Sequence, residues 1–270
     1  MKRTNLAVIG VGNMAKAIIN GITSANIDIS NIILFDKNTA QYSSLSGLQN
    51  ITVSDSVEDA ITHADCVLIS VKPQNYPEIL PLMKNVKGYG NKLYISIGAG
   101  ISTDAVRAEL GDVSVLRVLP NVPMLIGKGV SAICRNEDVS TEDFEFVKKV
   151  FASAGSVIEI DEEEMNRIIG VTSSSPAYVF KFIDAIVQGA AAQGINSEDI
   201  VDIVCDMVIG SALMLKNSDE TPSELIAKVA SKGGTTERAL AKLDEYDFSN
   251  IVCEAMIACT ARADELGAKK

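Results

Sequence analysis

The chain has 270 residues and lacks several features that mark particular classes of protein. Lys and Arg are outnumbered by Asp and Glu, which gives a formal net charge of −11. Nucleic acid is therefore not an expected partner, because a phosphate-tracking surface needs a clustered excess of basic residues. The N-terminal apolar run, Leu6 to Ile9, is short and is followed directly by a turn with Gly10 and Gly12. Neither a signal peptide nor a membrane span is therefore expected. These features predict a cytoplasmic protein.

Histidine and cysteine are too few and too scattered for several kinds of chemistry. The five cysteines lack C-x-x-C spacing, which argues against a disulfide framework and a zinc site and predicts buried thiols in a reducing compartment. No cluster has metal-ligand spacing, and the run Asp161 to Glu164 reads as an acidic, solvated helix start, so no metal is expected. The only histidine, His63, is predicted to lie on the surface, in the helix before the strand at 66–70, which disfavours His-based dehydrogenases and Ser-His hydrolases. A hydride transfer that needs little acid-base help remains, and reduction of a protonated imine qualifies.

Hydrophobic residues make up 47% of the chain, enough for a folded enzyme, and their pattern divides it in two. Short β-branched runs alternate with helical periodicity up to about Ile160, which predicts a parallel sheet with helices on both faces. Beyond Asp161 all signals are helical. The predicted fold is therefore an α/β N-terminal Rossmann dinucleotide-binding domain, residues 1–162, followed by an all-α dimerisation and substrate-binding domain, residues 163–270. Five strands and five helices are expected: 6–9, 31–35, 66–70, 93–97 and 113–118; and 176–194, 197–216, 222–231, 235–245 and 248–266.

The stretch from Ala177 to Leu215 is rich in apolar residues and carries few charges. A helix with a solvated outer face should be more polar, so burial against another subunit would explain this composition. Central helices of a monomeric bundle are the alternative.

A glycine-rich turn follows the first predicted strand and opens a segment of helical period, which is the context that a dinucleotide fingerprint requires. Gly10 permits the tight turn, Gly12 lets the backbone approach a pyrophosphate, and Ala15 allows the helix to pack closely on the strand. A chance glycine-rich turn is the alternative. The predicted contacts are Gly10, Val11, Gly12, Asn13, Met14 and Ala15.

Other candidate cofactor contacts follow later strands. Asp36 could accept hydrogen bonds from the adenine ribose and favour NAD, whereas Lys37 could hold a 2′-phosphate if Asp36 turns away. The cofactor is therefore predicted only as NADPH or NADH. Lys72 and Asn121 follow strands whose carboxyl ends open into the same crevice, although an ordinary loop lysine and a rigid turn without a ligand are the alternatives. The predicted contacts in this group are Asp36, Lys37, Val71, Lys72, Pro73, Gly98 and Asn121.

Hydroxyl-rich turns open two of the predicted helices. Thr172 to Pro176 precedes the long apolar helix, and ordinary capping explains much of it. Ser231 to Thr236 places two glycines and two threonines at a helix N-terminus, which suits a carboxylate through N–H groups, hydroxyls and the helix dipole. A simple capping loop with Thr235 as the N-cap residue is the alternative.

These motifs together resemble the pyrroline-5-carboxylate reductase family over essentially the whole chain. Five motifs carry the resemblance, in the order and spacing of that family: 10–15, 71–73, 119–123, 174–178 and 231–236. The resemblance implies reduction of L-1-pyrroline-5-carboxylate to L-proline by hydride transfer from NAD(P)H, the last step of proline biosynthesis. It also implies an intertwined homodimer, or a larger ring of dimers, in which the helical domain of one subunit completes the active site of another.

The resemblance assigns roles to individual residues. Thr236 would donate a hydrogen bond to the ring nitrogen, while Gly234 and Thr235, with nearby hydroxyls, would hold the substrate carboxylate. The predicted catalytic residue is thus Thr236, and the predicted substrate-binding set is Ser231, Gly233, Gly234, Thr235, Thr236, Ser174 and Ser175.

Three departures from the family pattern leave other functions open. Ser173 and Ser175 replace glycines, which matters if either position needs positive φ, and Lys232 replaces a proline. Another imine reductase, a related hydroxyacid dehydrogenase, or a catalytically silent dinucleotide-binding paralogue are the alternatives. The hydroxyacid enzymes need a lysine on the face of the first interdomain helix, and Lys181, the only lysine there, lies well inside that helix.

Overall fold

A computed structural model describes residues 5–45, 47–48 and 50–268 of the chain. The chain divides into two compact units. The first consists of Met1–Ser174 and Ile257–Lys270, and the second consists of Ser175–Met256. No helix among the described residues is long and apolar enough to cross a membrane.

The first unit is built on one eight-stranded sheet with the order β3-β2-β1-β4-β5-β6-β7-β8. The order reverses between β1 and β4, which creates the crevice where doubly wound sheets bind ligands. The strands are β1 (Asn5–Ile9), β2 (Asn31–Phe35), β3 (Ile51–Val53), β4 (Cys66–Ile69), β5 (Leu93–Ser96), β6 (Ser114–Leu119), β7 (Gly129–Arg135) and β8 (Gly155–Glu159).

The Rossmann fold is confirmed, but the sheet is not parallel throughout. β6 and β7 pair antiparallel, with Leu116 opposite Arg135 and Leu119 opposite Ala132, whereas all other neighbouring strands pair parallel. The physical reason is the short connection between them, residues 120–128, which contains one 3-10 turn and no crossover helix. A short connection suits antiparallel neighbours, because a parallel pair needs a crossover of a dozen or more residues.

Helices cover both faces of the sheet, as predicted. The first-unit helices are α1 (Asn13–Ser24), α2 (Val57–Thr62), α3 (Tyr76–Lys84), α4 (Thr103–Leu110), α5 (Thr141–Ala152) and α6 (Met165–Ile168). Apolar residues of α1 and α5 share one buried cluster with alternate strand residues, and those of α2, α3 and α4 share another. This division follows from the strand, where successive side chains point to opposite faces. His63 ends α2 with its side chain 70% exposed, which confirms the surface prediction.

A π-helical turn (Ile169–Ser173) follows α6 directly and lies at the end of the first unit's N-terminal segment. A third buried cluster joins β6, β7, α6 and this turn through Leu119, Cys134, Met165 and Ile169, together with Ala263. Single π turns are rare and often occur at functional sites.

The second unit is helical, in agreement with the sequence. Its helices are α7 (Ser175–Ala192), α8 (Ile200–Lys216), α9 (Pro222–Val229), α10 (Thr235–Glu245) and the first part of α11 (Phe248–Ala268), which continues in the first unit from Ile257. α9 starts with a complete capping box between Thr221 and Glu224, with Pro222 at its first position. Val204 is the only buried residue of 175–256, all of which the structure describes.

Candidate active site

A cleft of about 720 Å³ lies in the first unit, lined by residues that follow the carboxyl ends of five strands. This is the position at which dinucleotides bind to doubly wound sheets. Ten of the predicted cofactor contacts line it: Gly10, Gly12, Asn13, Met14, Asp36, Lys37, Val71, Lys72, Pro73 and Gly98. Val11 and Ala15 are instead buried in the core, where they position the turn and the helix.

The glycine turn has the shape that a pyrophosphate requires. Gly10 has φ of +91°, and a Cβ there would lie 2.8 Å from the Ser70 carbonyl oxygen, so the turn can pass β4 only as glycine. Gly12 has an ordinary φ of −76°, and a Cβ there would meet nothing within 4 Å. Because Gly12 lines the cleft, that open space lies where a phosphate would approach the N-terminus of α1. The residues present therefore fit a dinucleotide.

Asp36 is held in place by hydrogen bonds on its backbone and its carboxylate. Its Oδ2 accepts the Val11 N–H at 2.6 Å and its Oδ1 accepts the Asn38 N–H at 2.8 Å. The Tyr42 hydroxyl accepts the Asp36 N–H at 2.6 Å and donates to the Asp36 carbonyl at 3.0 Å. Burial is the main reason that the pKa of Tyr42 is raised. The sequence did not indicate these restraints.

The two predicted lysines have different surroundings. Lys37 Nζ lies 2.5 Å from Glu78 Oε1, and Glu78 also lines the cleft. Lys72 precedes a 3-10 turn that begins at Pro73, and the proline ring fixes the backbone of the loop after β4.

Tyr76, which the sequence analysis missed, holds the loop that carries Gly98. The Gly98 N–H donates to the Tyr76 hydroxyl at 3.0 Å, and that hydroxyl also contacts Ser96 Oγ at 2.9 Å and the Ile69 carbonyl at 3.1 Å. Burial is the largest effect on its pKa, which rises to about 12. The contact requires a glycine, because a Cβ on Gly98 would lie 2.8 Å from the tyrosine ring. No local sequence pattern marks this tyrosine.

Asn121 does not line the cleft, unlike the other predicted contacts that follow strands. Its Nδ2 donates to the Thr172 carbonyl at 2.9 Å, and its Oδ1 accepts the Val130 N–H at 2.8 Å. The side chain thus joins the loop after β6 to β7 and the π-helical turn. This arrangement corresponds to the alternative interpretation, a rigid turn without a ligand. Both polar atoms of the buried amide are hydrogen-bonded to backbone groups of the protein.

A buried arginine organises the segment that leads to the π-helical turn. Arg117, on β6, is 2% exposed, and its Nη1 lies 2.7 Å from Glu162 Oε1. Its Nη2 donates to Asn166 Oδ1 at 2.5 Å, and Asn166 Nδ2 donates to Asp264 Oδ1 at 2.7 Å. The run Asp161 to Glu164 does start a helix, and its other three acids are exposed as expected, but Glu162 is half-buried because the buried guanidinium needs a carboxylate partner. An arginine inside an otherwise apolar strand was the signal for this pair.

The second unit contains the predicted substrate loop. Gly233 has φ of +74°, and its N–H donates to Glu237 Oε2 at 2.7 Å. The Gly234 N–H donates to the Ser231 carbonyl at 2.9 Å, and Gly234 is the N-cap residue of α10. The alternative with Thr235 as N-cap is wrong by one residue, because the chain becomes helical at Thr235. Thr235 and Thr236 lie in the first turn, where backbone N–H groups have no partner within the helix.

The two serines that replace glycines adopt ordinary backbone conformations. Neither Ser173 nor Ser175 has positive φ, so the concern about backbone strain does not apply. Ser173 ends the π-helical turn and Ser175 starts α7, while Ser174 Oγ lies 3.1 Å from Cys259 Sγ. Ser173 lines the cleft, and its buried hydroxyl has no hydrogen-bond partner among the described residues.

Comparisons with known proteins agree with this architecture. A model of the pyrroline-5-carboxylate reductase dimerisation domain matches residues 162–266, and a model described as NADP oxidoreductase, coenzyme F420-dependent, matches residues 5–100. The pyrroline-5-carboxylate reductase of Aquifex aeolicus is 34% identical over 97% of each chain, and that of Vibrio alginolyticus is 35% identical over 98% of each chain.

A solved structure shows the same similarity in three dimensions. The pyrroline carboxylate reductase of Plasmodium falciparum, solved with NADP bound, has a TM-score of 0.88 and 28% identity and covers 99% of this chain and 100% of its own. Sequence and structure thus match one family from end to end. The chain belongs to the pyrroline-5-carboxylate reductase family.

Proposed function

We propose that this protein reduces L-1-pyrroline-5-carboxylate to L-proline with NADH or NADPH, as the last step of proline biosynthesis. The observation that carries the proposal is the match of cleft and loop to one family over the whole chain. A dinucleotide bound in the cleft would supply the hydride, and positive charge on the ring nitrogen would activate the carbon that receives it. The protein then acts mainly by positioning the two reactants.

The cleft residues have separate tasks in this proposal. Gly10 and Gly12 let the backbone approach the pyrophosphate at the N-terminus of α1, and Asp36 contacts the adenine ribose. Tyr76 acts as a positioning residue, since it fixes the loop at Gly98. Arg117 serves the same purpose for the segment before the π-helical turn, through Glu162 and Asn166.

The loop before α10 is the proposed substrate site. The Gly234 N–H is already bonded to Ser231, so we assign the substrate carboxylate to the unpaired N–H groups and hydroxyls of Thr235 and Thr236. Ser174, Ser175 and Ser231 are further hydroxyl donors in the proposed set, and Gly233 provides the left-handed turn. The protonated ring nitrogen has no free lone pair, so the Thr236 hydroxyl accepts its N–H and holds the ring in the orientation needed for hydride transfer.

The functional form is proposed to be a homodimer. Apolar side chains of α7 and α8 lie on the surface of the single chain, for example Phe180 at 60% and Ile203 at 56% exposed. That exposure argues against a monomeric bundle, whose central helices would bury these residues, and favours burial against a second copy. The match to a dimerisation domain supports this assembly.

Two further expectations belong to the same proposal. We place the boundary between the dinucleotide-binding and dimerisation domains at 162/163, where the dimerisation model begins to match. We also place the protein in the cytoplasm, because its five cysteines are free thiols, as in a reducing compartment.

A spectrophotometric assay with pyrroline-5-carboxylate, run in parallel with NADH and NADPH, tests the function. Rapid oxidation of either cofactor that depends on the imine is the expected result. Reactions with a 2-oxo acid in place of the imine serve as the control for the hydroxyacid dehydrogenase alternative. Cofactor binding without oxidation would contradict the proposal and favour a silent paralogue.

A further inference from the structure

The charges at the adenosine end of the cleft point to a cofactor preference that the proposed function leaves open. We propose that this protein selects NADH over NADPH, with Asp36 as the main selectivity residue and Glu78 as a secondary one. The inference rests on the proposed function only in that the cleft holds a nicotinamide dinucleotide. It concerns the group at the adenine ribose, which is a hydroxyl in NADH and a phosphate in NADPH.

Asp36 cannot turn away from this end of the cleft without breaking contacts. Both carboxylate oxygens accept backbone N–H groups, at 2.6 Å from Val11 and 2.8 Å from Asn38. Val11 belongs to the phosphate turn, so rotation of the carboxylate would also release the turn that receives the pyrophosphate. Tyr42 fixes the Asp36 backbone through both its N–H and its carbonyl. The acid is therefore a permanent part of the site.

A fixed carboxylate treats the two cofactors differently. Each of its oxygens retains capacity to accept another hydrogen bond, which suits a ribose hydroxyl. A 2′-phosphate offers only acceptor oxygens and about two negative charges, so it meets repulsion and no donor at Asp36. The repulsion acts at short range inside a cleft, where charges are less screened than in bulk water.

The cations near this position do not offset the repulsion. Lys37, the adjacent one, is paired with Glu78 at 2.5 Å, and Glu78 adds a second negative charge to the cleft wall. This pair is exposed, at 66% and 57%, so its contribution is smaller than that of Asp36. Lys16 Nζ donates to the neutral Gln41 Oε1 at 2.7 Å and keeps its charge, but Lys16 does not line the cleft. Lys72 follows β4, two strands from β2, which is about 10 Å across the sheet.

Binding measurements on the wild-type protein test the preference directly. NADH and NADPH are titrated by nucleotide fluorescence without any imine, and the fragments ADP and 2′,5′-ADP compete against bound NADH. We expect NADH to bind about tenfold or more tightly than NADPH, and ADP to compete better than 2′,5′-ADP. Equal or tighter binding of the phosphorylated partner in both comparisons would overturn the proposal, as would binding of neither cofactor.

Two substitutions separate the contributions. Asp36→Asn keeps an oxygen for the Val11 N–H but removes the charge, and it should tighten NADPH binding about tenfold. Glu78→Gln frees Lys37 and should tighten NADPH binding about threefold relative to NADH binding. Glu145→Gln is the matched control, because Glu145 pairs with Lys148 on the surface of α5, and neither affinity should change. Unchanged NADPH affinity in both Asp36→Asn and Glu78→Gln would contradict the assignment.

The outcomes are distinguishable from those of the function assay. Selective binding of NADH without imine-dependent oxidation would contradict the proposed function and leave the selectivity intact. Imine-dependent oxidation at equal kcat/KM with both cofactors, together with equal affinities, would confirm the function and overturn the selectivity.

Discussion

The sheet unit buries its apolar side chains within a single chain, whereas the long helices of the second unit leave theirs exposed. Two large buried clusters pack against opposite faces of the sheet, and a third joins β6 and β7 to α6. In the helical unit, by contrast, Val204 is the one buried residue among 175–256. The helical unit has enough apolar side chains to form a core, but other residues of the same unit do not bury them.

The two units therefore differ in whether one chain alone holds the proposed binding site in place. The sheet unit presents a finished cleft, because its turn, Asp36 and the Gly98 loop are all held by contacts inside that unit. The helical unit carries the proposed substrate loop. We expect the exposed apolar faces of its helices to be buried against a second copy of the chain. The predictions below test that difference, beginning with the largest expected effect.

The first substitution tests whether the cleft is complete within the sheet unit. Gly12→Val should abolish dinucleotide binding, weakening it by about a hundredfold or more, because the side chain fills the open space that the pyrophosphate needs. The fold should survive, since φ at Gly12 is ordinary and a Cβ there meets no atom within 4 Å. Fluorescence titration and thermal unfolding measure the two effects.

A neighbouring glycine provides the contrast. Gly10→Ala places its Cβ 2.8 Å from the Ser70 carbonyl oxygen at φ of +91°, so it should lower the melting temperature as well as binding. Retained dinucleotide affinity in Gly12→Val would refute the placement of the cofactor.

The second substitution tests whether the helical unit needs a partner. Ile203→Glu changes an exposed side chain in the single chain, so an isolated monomer should tolerate it. If the α8 surface is buried between two copies, the carboxylate is desolvated there, and the dimer should weaken by about thirtyfold or more. Light scattering over a concentration series measures the dissociation constant.

The matched control is Val53→Glu, which introduces the same charge at an exposed apolar residue of the sheet unit. Its oligomeric state should equal that of the wild type. Identical dissociation constants for Ile203→Glu and wild type would mean that this part of α8 stays in solvent.

The third substitution asks whether the two units divide the chemistry. Thr236→Ala should lower kcat by about tenfold to a hundredfold, the equivalent of one hydrogen bond to a charged group. Affinity for the cofactor should stay the same, because the residues that line the dinucleotide cleft all belong to the sheet unit. Steady-state kinetics and cofactor titration are compared with Thr236→Ser, which retains the hydroxyl and should recover most of the rate. Full turnover in Thr236→Ala would remove this residue from the mechanism.

Local patterns predicted the parts of the fold that depend on neighbouring residues. Residue spacing alone predicted the glycine turn, its helix, five strands and the five helices of the C-terminal part. Each of these elements is determined by residues that are close together in the sequence. The strands β3, β7 and β8 were not predicted, and neither the antiparallel direction of β7 nor the internal role of Asn121 follows from local spacing. Asn121 bonds to Thr172, 51 residues further along the chain, and no local rule records such a partner.

The charged network shows the same limit. The sequence analysis did not predict a role for Arg117, whose partners Glu162 and Asn166 lie 45 and 49 residues away. Similarly, Asp36 was expected to face a ribose, while its bond to Val11, 25 residues earlier, is visible only in the structure. That bond changes an open choice of cofactor into a testable preference.

Two buried side-chain polar atoms of the sheet unit, Arg117 Nε and Ser173 Oγ, have no hydrogen-bond partner among the described residues, and the serine can be tested by a mild substitution. Ser173 Oγ is buried without a partner among the described residues, where the family pattern has a glycine. Burial of an unpaired hydroxyl costs free energy, so Ser173→Ala should raise stability by up to about 1 kcal/mol, or about 2–4 °C in melting temperature. Ser174→Ala is the comparison, because that hydroxyl contacts Cys259 and its loss should bring no gain. A drop in stability for Ser173→Ala would show that the hydroxyl has a partner in solution, and an accompanying loss of cofactor affinity would identify the bound dinucleotide as that partner.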